Sequence, residues 1–281
     1  MQSFAAWTNS NGQAANFAPA GVAAGSDGRM WFAGEGGGFW AESTSLSDIT
    51  FGAYGSAIGA GGGEPSQPYG ITSGPSGNLW LTDLSVSQAI VISPANPTAS
   101  PTRIDIGSNA EPIAIAGGND GNLWVSEDLV AKIARVTPGG TVTQFNISGQ
   151  SEGIAAGPDG ALWFTEYTEG ANKIGRLTTG GSLTEYTIPT ADAVPAGIAA
   201  GTDGALWFAE AHGNKIGRIT TAGVITEYPV PTASAEPFNV AAGPDSAMWF
   251  TEFTAGKVGR IPLDIVNATA QTRTSGATRR H

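Results

Sequence analysis

A tandem repeat built on one tryptophan motif constrains this chain more than any other feature. The motif reads GPDGALWFTE at 157–166 and GTDGALWFAE at 201–210, and related copies occupy 25–34, 74–83, 118–127 and 243–252. The six tryptophans of these copies are 39 to 49 residues apart. A period in this range, with short apolar runs between Gly/Asp turns, is typical of a β-propeller or a similar repeat array.

One repeat reads as four short strands. In the fifth copy these are GIAAG (197–201), ALWFAE (205–210), KIGRIT (215–220) and VITEYPV (224–230). The small residues of the first suit an innermost strand, and the Trp-Phe pair is expected to pack between neighbouring blades. No stretch shows a sustained helical period, and 41 glycines and 17 prolines among 281 residues also favour an all-β chain.

These observations predict a closed, all-β propeller of four-stranded blades. Six blades fit the repeat count, with seven as the alternative. Residues 1–266 are expected to form the single domain, with a strand at Ser3–Thr8 closing the ring and a flexible tail at 267–281.

The composition of the chain limits the kinds of partner that the protein is expected to bind. The net charge of −11 disfavours nucleic acid, and no apolar run approaches the length that membrane insertion needs. The absence of cysteine excludes disulfides and thiolate metal sites. We expect a monomer that is either cytoplasmic or an exported protein whose signal is absent here, and that binds a small molecule, glycan or peptide at the propeller mouth.

Six carboxylates end the second strands and should surround that mouth. In four repeats a basic third strand follows, so we interpret Glu127, Glu166, Glu210 and Glu252 as forming a local ion pair or a hairpin hydrogen bond with it. The third strands after Glu35 and Asp83 contain no Lys or Arg. These two carboxylates are therefore the candidate ligands for Mg²⁺ or Ca²⁺, and Glu64 and Tyr69 between them are candidate ligand-binding residues. The alternative is that the missing basic residues of these two repeats reflect only random sequence divergence.

His212 lies in the loop that follows Glu210 and is one of two histidines, the other being His281. It is a weak candidate for a general base, the alternative being a solvated loop residue.

The repeats resemble those of the streptogramin B (virginiamycin B) lyases and, more loosely, NHL-type propellers. The likeness is close over residues 150–262 and weaker over 17–149. The resemblance implies a Mg²⁺-dependent elimination that opens a cyclic depsipeptide, with motifs P-Y-G-I-T, P-H-A-I, E-P-H-G-I and W-F-A-M-E. The first is present at 68–72, and WFAGE at 31–35 matches the last in spacing.

Neither histidine motif is matched. The E-P-H-G-I pattern becomes EPFNV at 236–240, or APAGV at 18–22 if the Glu35 blade is equivalent. The first alignment places Phe238 where the resemblance expects histidine, and Phe238 is therefore a candidate ligand-binding residue. The sequence therefore leaves three readings open. These are a ligand- or protein-binding propeller, a divalent-metal-dependent lyase or hydrolase, and a structural repeat domain of a larger chain.

Overall fold

The computed structural model describes residues 18–35, 38–43, 67–96, 99–168 and 171–263, and their regular secondary structure is almost entirely antiparallel β-strand. Two short 3₁₀ turns, Pro75–Gly77 and Leu84–Val86, interrupt the strands. Within these ranges no helix is long and apolar enough to span a membrane. The expected strand at Ser3–Thr8, the tail at 267–281 and Glu64 lie outside the described residues.

The chain divides into two compact units, Met1–Ile154 and Ala155–His281. The first unit contains three sheets. The first sheet comprises β1 (Ala18–Ala24), β2 (Arg29–Glu35) and β3 (Gly38–Ser43). The second comprises β4 (Pro68–Ser73), β5 (Leu79–Asp83), β6 (Gln88–Ile92) and β7 (Thr102–Asp105). The third comprises β8 (Pro112–Gly117), β9 (Leu123–Glu127), β10 (Lys132–Val136) and β11 (Val142–Asn146).

The described residues of the second unit also form three sheets. The boundary between the two units falls within the first strand of the fourth sheet. The fourth sheet comprises β12 (Ile154–Ala156), β13 (Leu162–Glu166), β14 (Lys173–Leu177) and β15 (Leu183–Thr187). The fifth comprises β16 (Pro195–Ala200), β17 (Ala205–Glu210), β18 (Lys215–Thr220) and β19 (Ile225–Pro229). The sixth comprises β20 (Pro237–Ala242), β21 (Ala247–Glu252) and β22 (Lys257–Pro262).

The six sheets of three or four strands confirm the all-β class and the strand pattern of one repeat. The number of blades, the closure of a ring and the single-domain boundary at residue 266 stay predictions.

The repeated Gly-x-Asp-Gly turn fixes the tryptophan that follows it. In the fifth sheet, Asp203 Oδ1 accepts the indole N–H of Trp207 at 3.1 Å, while its Oδ2 accepts from Arg218 at 2.7 Å. The guanidinium also lies over the Trp207 ring, 5.9 Å from its centroid. A Cβ on Gly201 would come within 2.7 Å of the Trp207 indole, so glycine is required there.

The second sheet departs from this pattern. Ser76 replaces the aspartate of the turn, and the indole nitrogen of Trp80 is buried without a hydrogen-bond partner among the described residues. This sheet therefore contains a buried donor that the other repeats satisfy.

Tryptophan and phenylalanine fill the space between successive sheets. Trp207 packs with Met248 and Phe250 of the sixth sheet, and Phe208 packs with Trp163 of the fourth. This confirms the prediction that the Trp-Phe pair lies between neighbouring sheets. In the fourth, fifth and sixth sheets the phenylalanine pairs with a glycine across the hairpin, and a Cβ on Gly217 would lie 2.1 Å from the Phe208 ring.

Polar side chains hold the loops that lead from one sheet to the next. The Asn214 carboxamide donates to Val230 O at 3.2 Å and Thr232 O at 3.0 Å and accepts from Ala235 N at 2.8 Å. Asn172 bonds the preceding loop in the same way, and Ser87 Oγ accepts from Ala110 N at 3.1 Å. We call these three residues the loop clamps.

Candidate functional site

Each sheet has an edge where its first strand begins and its second strand ends, which we call the mouth edge. At this edge a proline pairs with a carboxylate residue: Pro68 with Asp83, Pro112 with Glu127, Pro195 with Glu210 and Pro237 with Glu252. The register shifts directly after each proline, so the next two residues leave the ladder as a bulge. The first residues of these four bulges are Tyr69, Ile113, Ala196 and Phe238.

The carboxylates at this edge are directed into the protein and are buried. Asp83, Glu127, Glu166 and Glu210 are fully buried, and Glu252 is 6% exposed. Of the two predicted metal ligands, Glu35 ends β2, and its side chain is outside the described residues. The six-carboxylate ring inferred from the sequence is therefore not an open acidic surface over the described residues.

Asp83 is engaged in local hydrogen bonds. Its Oδ1 accepts from Gln67 N at 3.1 Å, Ser85 N at 3.2 Å and Ser85 Oγ at 2.7 Å. The carboxylate thus fixes the turn that follows β5. Within the described ranges, no three His, Asp or Glu side chains converge as a metal site would require. The divalent-cation site predicted from the sequence stays a prediction, because the Glu35 side chain and Glu64 lie outside the described residues.

Glu127 is held by an amide instead of by a cation. Gln144 Nε2 donates to both carboxylate oxygens of Glu127, at 2.9 and 2.8 Å, and Gln144 Oε1 accepts from Lys132 Nζ at 3.0 Å. Burial raises the pKa of Glu127 to about 7, although Gln144 and the charge of Lys132 oppose this. The ion pair predicted between Glu127 and its basic strand is wrong, because the amide of Gln144 stands between them.

Glu210 gives the clearest contrast with the sequence prediction. Lys215 lies opposite it in the ladder, yet its ammonium bonds Glu227 at 2.9 Å and the Thr190 hydroxyl at 2.5 Å. Burial and the negative charge of Glu227 raise the pKa of Glu210 to about 7, while Lys215 and a Thr190 hydrogen bond act in the other direction. The predicted ion pair of Glu210 is therefore replaced by the pair Lys215–Glu227.

The arginines of the third strands also form salt bridges with residues other than the predicted glutamates. Arg176, Arg218 and Arg260 each bond the aspartate of the Gly-x-Asp-Gly turn, Asp159, Asp203 and Asp245 respectively, at 2.7 Å. The arginine component of the predicted pairing is consequently wrong for these three sheets.

Sequence reasoning missed Glu152. It lies in the loop before β12, is largely buried, and its backbone oxygen accepts from Ser126 Oγ at 3.4 Å. Burial raises its pKa to about 7, and the charge of Asp128 acts in the same direction. The available signal was the loss of proline at this position, where the chain reads SEG instead of the P-A-G or P-Y-G of other repeats.

Aromatic side chains, in contrast, are accessible at the mouth edge of the sixth sheet. Phe238 in the bulge and Phe253 after β21 have ring centroids 6.0 Å apart at an interplanar angle of 42°. Phe253 is 73% exposed. The structure therefore places the predicted ligand-binding residue Phe238 in an aromatic pair, and the sequence analysis had not identified Phe253.

The remaining predicted site residues, Tyr69 and His212, belong to different sheets. Tyr69 is half-buried in the bulge of the second sheet. His212 is exposed in a turn of the second unit, where its backbone N–H bonds Ala193 O at 3.1 Å. No proton-transfer partner of the imidazole is found among the residues with described positions.

Comparisons with known proteins agree with this architecture. The profile of the virginiamycin B lyase family matches residues 61–273. The crystal structure of virginiamycin B lyase from Staphylococcus aureus is similar with a TM-score of 0.77 and 31% identity, over 91% of this chain and 86% of that one. A streptogramin B lyase structure gives 0.75 and 30%, over 87% and 82%.

A third structure is that of a catalytically inactive variant of the Staphylococcus aureus enzyme with quinupristin, with a TM-score of 0.68 and 28% identity over 92% of this chain and 98% of that one. The search of curated proteins gives no match. A family profile that spans most of the chain, together with two lyase structures at 30% identity or more, leads to one conclusion. The chain belongs to the virginiamycin B lyase family.

Proposed function

We propose that this protein is a ligand-binding member of the family that lacks the histidines used in lyase chemistry. The observation that carries the proposal is the pair Phe238–Phe253, which presents two rings at the mouth edge, with Phe238 at the position where the family pattern has histidine. Phenylalanine has no titratable group, so it cannot accept a proton from a substrate. The inactive Staphylococcus aureus variant has a histidine replaced by alanine, which is consistent with this argument.

The exposed rings suit an apolar portion of a small molecule, peptide or glycan, since aromatic side chains bury a large area with little loss of conformational entropy. The complex of the inactive variant with quinupristin makes a cyclic depsipeptide the first ligand to test. We expect the protein to act as a monomer, without nucleic acid.

Calorimetric titration with quinupristin, paired with mass spectrometry of the ligand, tests the proposal. Binding without ring opening is expected, with or without Mg²⁺. Phe238→Ala should weaken binding by about tenfold, the effect of about 1.4 kcal/mol of lost contact. Val224→Ala is the matched control, because Val224 is a 61% exposed apolar residue in the turn between β18 and β19, at the edge of its sheet opposite the mouth edge.

Rapid Mg²⁺-dependent linearisation by the purified protein would overturn the proposal. So would binding that Phe238→Ala and Val224→Ala weaken equally.

A second candidate is a lyase or hydrolase with a relocated base. The pKa values of Glu127 and Glu210 are raised to about 7, which is the range in which a carboxylate works best as a general base near neutral pH. Ring opening that is lost in Glu127→Gln or Glu210→Gln, and retained in Glu166→Gln, would favour this alternative. His212→Ala tests the weaker histidine candidate in the same assay.

A further inference from the structure

The aromatic pair of the sixth sheet has a carboxylate beside it. Phe253 N donates to Glu236 O at 3.0 Å, and the Thr254 hydroxyl donates to Glu236 Oε2. Glu236 is exposed and lies two residues before Phe238. Two short segments, residues 236–238 and 253–254, therefore meet at this mouth edge. Together they supply two ring faces and one negative charge.

Two aromatic faces beside a carboxylate are the chemistry that recognises an organic ammonium group. The negative potential of an aromatic face attracts a cation within about 6 Å of the ring, and the carboxylate supplies long-range attraction. The net charge of −11 acts in the same direction.

The nearest basic side chain in the ladder is Lys257, opposite Glu252. It is exposed and forms no ion pair with a described residue. It therefore does not neutralise Glu236. Phe238 and Phe253 are tilted at 42° and not stacked flat, which leaves their faces open to a third group.

We propose that Phe238, Phe253 and Glu236 bind the alkylammonium group of a cationic ligand. This inference rests on the proposed ligand-binding role of the same edge and names the chemical class of the ligand. It also gives Phe253, which the sequence analysis did not identify, a role in specificity.

The test compares choline with its neutral isostere 3,3-dimethylbutan-1-ol, both titrated into the full chain and followed by ligand-detected NMR. The two molecules have nearly the same shape and differ in charge. Choline should bind about 5- to 30-fold more tightly, the preference expected of two cation–π contacts at an exposed site. Phe253→Leu should reduce that preference to below about threefold, because leucine keeps apolar area and lacks the ring quadrupole.

Glu236→Gln should reduce choline binding and leave binding of the neutral isostere unchanged. Val224→Ala is the control and should change neither. Because Phe253 is mostly exposed, Phe253→Leu is expected to fold, and its circular dichroism spectrum and melting temperature verify this.

Equal binding of choline and its isostere, or a choline preference unaffected by Phe253→Leu, would overturn the inference. Quinupristin binding separates it from the proposed function. If quinupristin binds in a Phe238-dependent way and choline shows no preference, only the ammonium assignment fails. If choline is preferred and quinupristin does not bind, the ammonium site stands and the depsipeptide ligand is wrong.

Discussion

The loop before β12 lacks a loop clamp, because the residue at the clamp position is an alanine. Ala131 occupies the clamp position: its backbone oxygen accepts from Ile147 N at 3.1 Å, as Ser87 O accepts from Ile106 N at 3.0 Å. Both residues have positive φ, 46° for Ala131 and 53° for Ser87. The alanine methyl group cannot accept the hydrogen bond that Ser87 Oγ accepts from Ala110 N.

Ser151 lies in this loop at the position where Pro112, Pro195 and Pro237 stand in other repeats, three residues before β12 begins. It is fully buried, and its hydroxyl has no hydrogen-bond partner among the described residues. The loop that lacks a clamp therefore also contains an unsatisfied buried hydroxyl group. An unsatisfied buried polar group costs about 1–3 kcal/mol, and a hydrogen bond contributes about 1 kcal/mol net.

We therefore expect Ala131→Ser to stabilise the protein by about 1 kcal/mol, because serine supplies the acceptor that Ser87 supplies in the preceding repeat. The assay is equilibrium unfolding in urea at fixed pH, with thermal melting as a second probe. A rise in melting temperature of about 2–4 °C is expected for a chain of this size.

Ser87→Ala is the reciprocal control and should destabilise by about 1–3 kcal/mol, because it leaves the buried Ala110 N–H without its acceptor. If Ala131→Ser is neutral or destabilising while Ser87→Ala is destabilising, the loops are not equivalent and the reasoning is refuted.

Three further changes test the fold and the buried carboxylates. Ser76→Asp should raise stability by about 1 kcal/mol in urea unfolding, because it offers the Trp80 indole the acceptor that other repeats provide. Gly217→Ala should lower stability by about 1–3 kcal/mol, because its Cβ would lie 2.1 Å from the Phe208 ring. Wild-type stability should fall as pH rises from about 4.5 to about 7, since folded Glu210 retains a proton that the unfolded chain releases earlier; Glu210→Gln should weaken this fall.

Each of these changes has its own control. Asp203→Ser should reproduce in the fifth sheet the defect of the second, and no loss there would contradict the role of the turn aspartate. Adding Phe208→Val to Gly217→Ala should recover stability, since the third sheet already pairs Val125 with Ala134. For Glu210→Gln, a pH profile parallel to wild type would show that this carboxyl does not titrate in the stated window.

The strand pattern was predictable from the sequence because it depends on local chemistry. A glycine must precede each repeated tryptophan, since a Cβ on Gly201 would meet the Trp207 ring. The Gly-x-Asp-Gly turn, the small first strand and the alternating third strand are likewise each decided within a few residues.

The partners of the charged groups were not predictable in this way. Lys215 has carboxylates on both sides, Glu210 within its hairpin and Glu227 across the next strand, and sequence proximity favoured the first. The structure selects Glu227 because Glu210 is fully buried and its carboxyl favours the protonated state, whereas Glu227 is accessible enough to stay charged.

The same distinction applies to the candidate site. The sequence placed Phe238 at the mouth edge, because its position depends on the strand order of the repeat. Its pairing with Phe253 depends on how the bulge after Pro237 and the turn after Glu252 approach each other, and that is a property of the folded sheet alone. The sequence thus determined which residues reach the mouth edge. The tertiary structure decided that aromatic rings are accessible at this edge and that carboxylates are buried there. Burial depends on packing against neighbouring sheets, which the local sequence pattern does not specify.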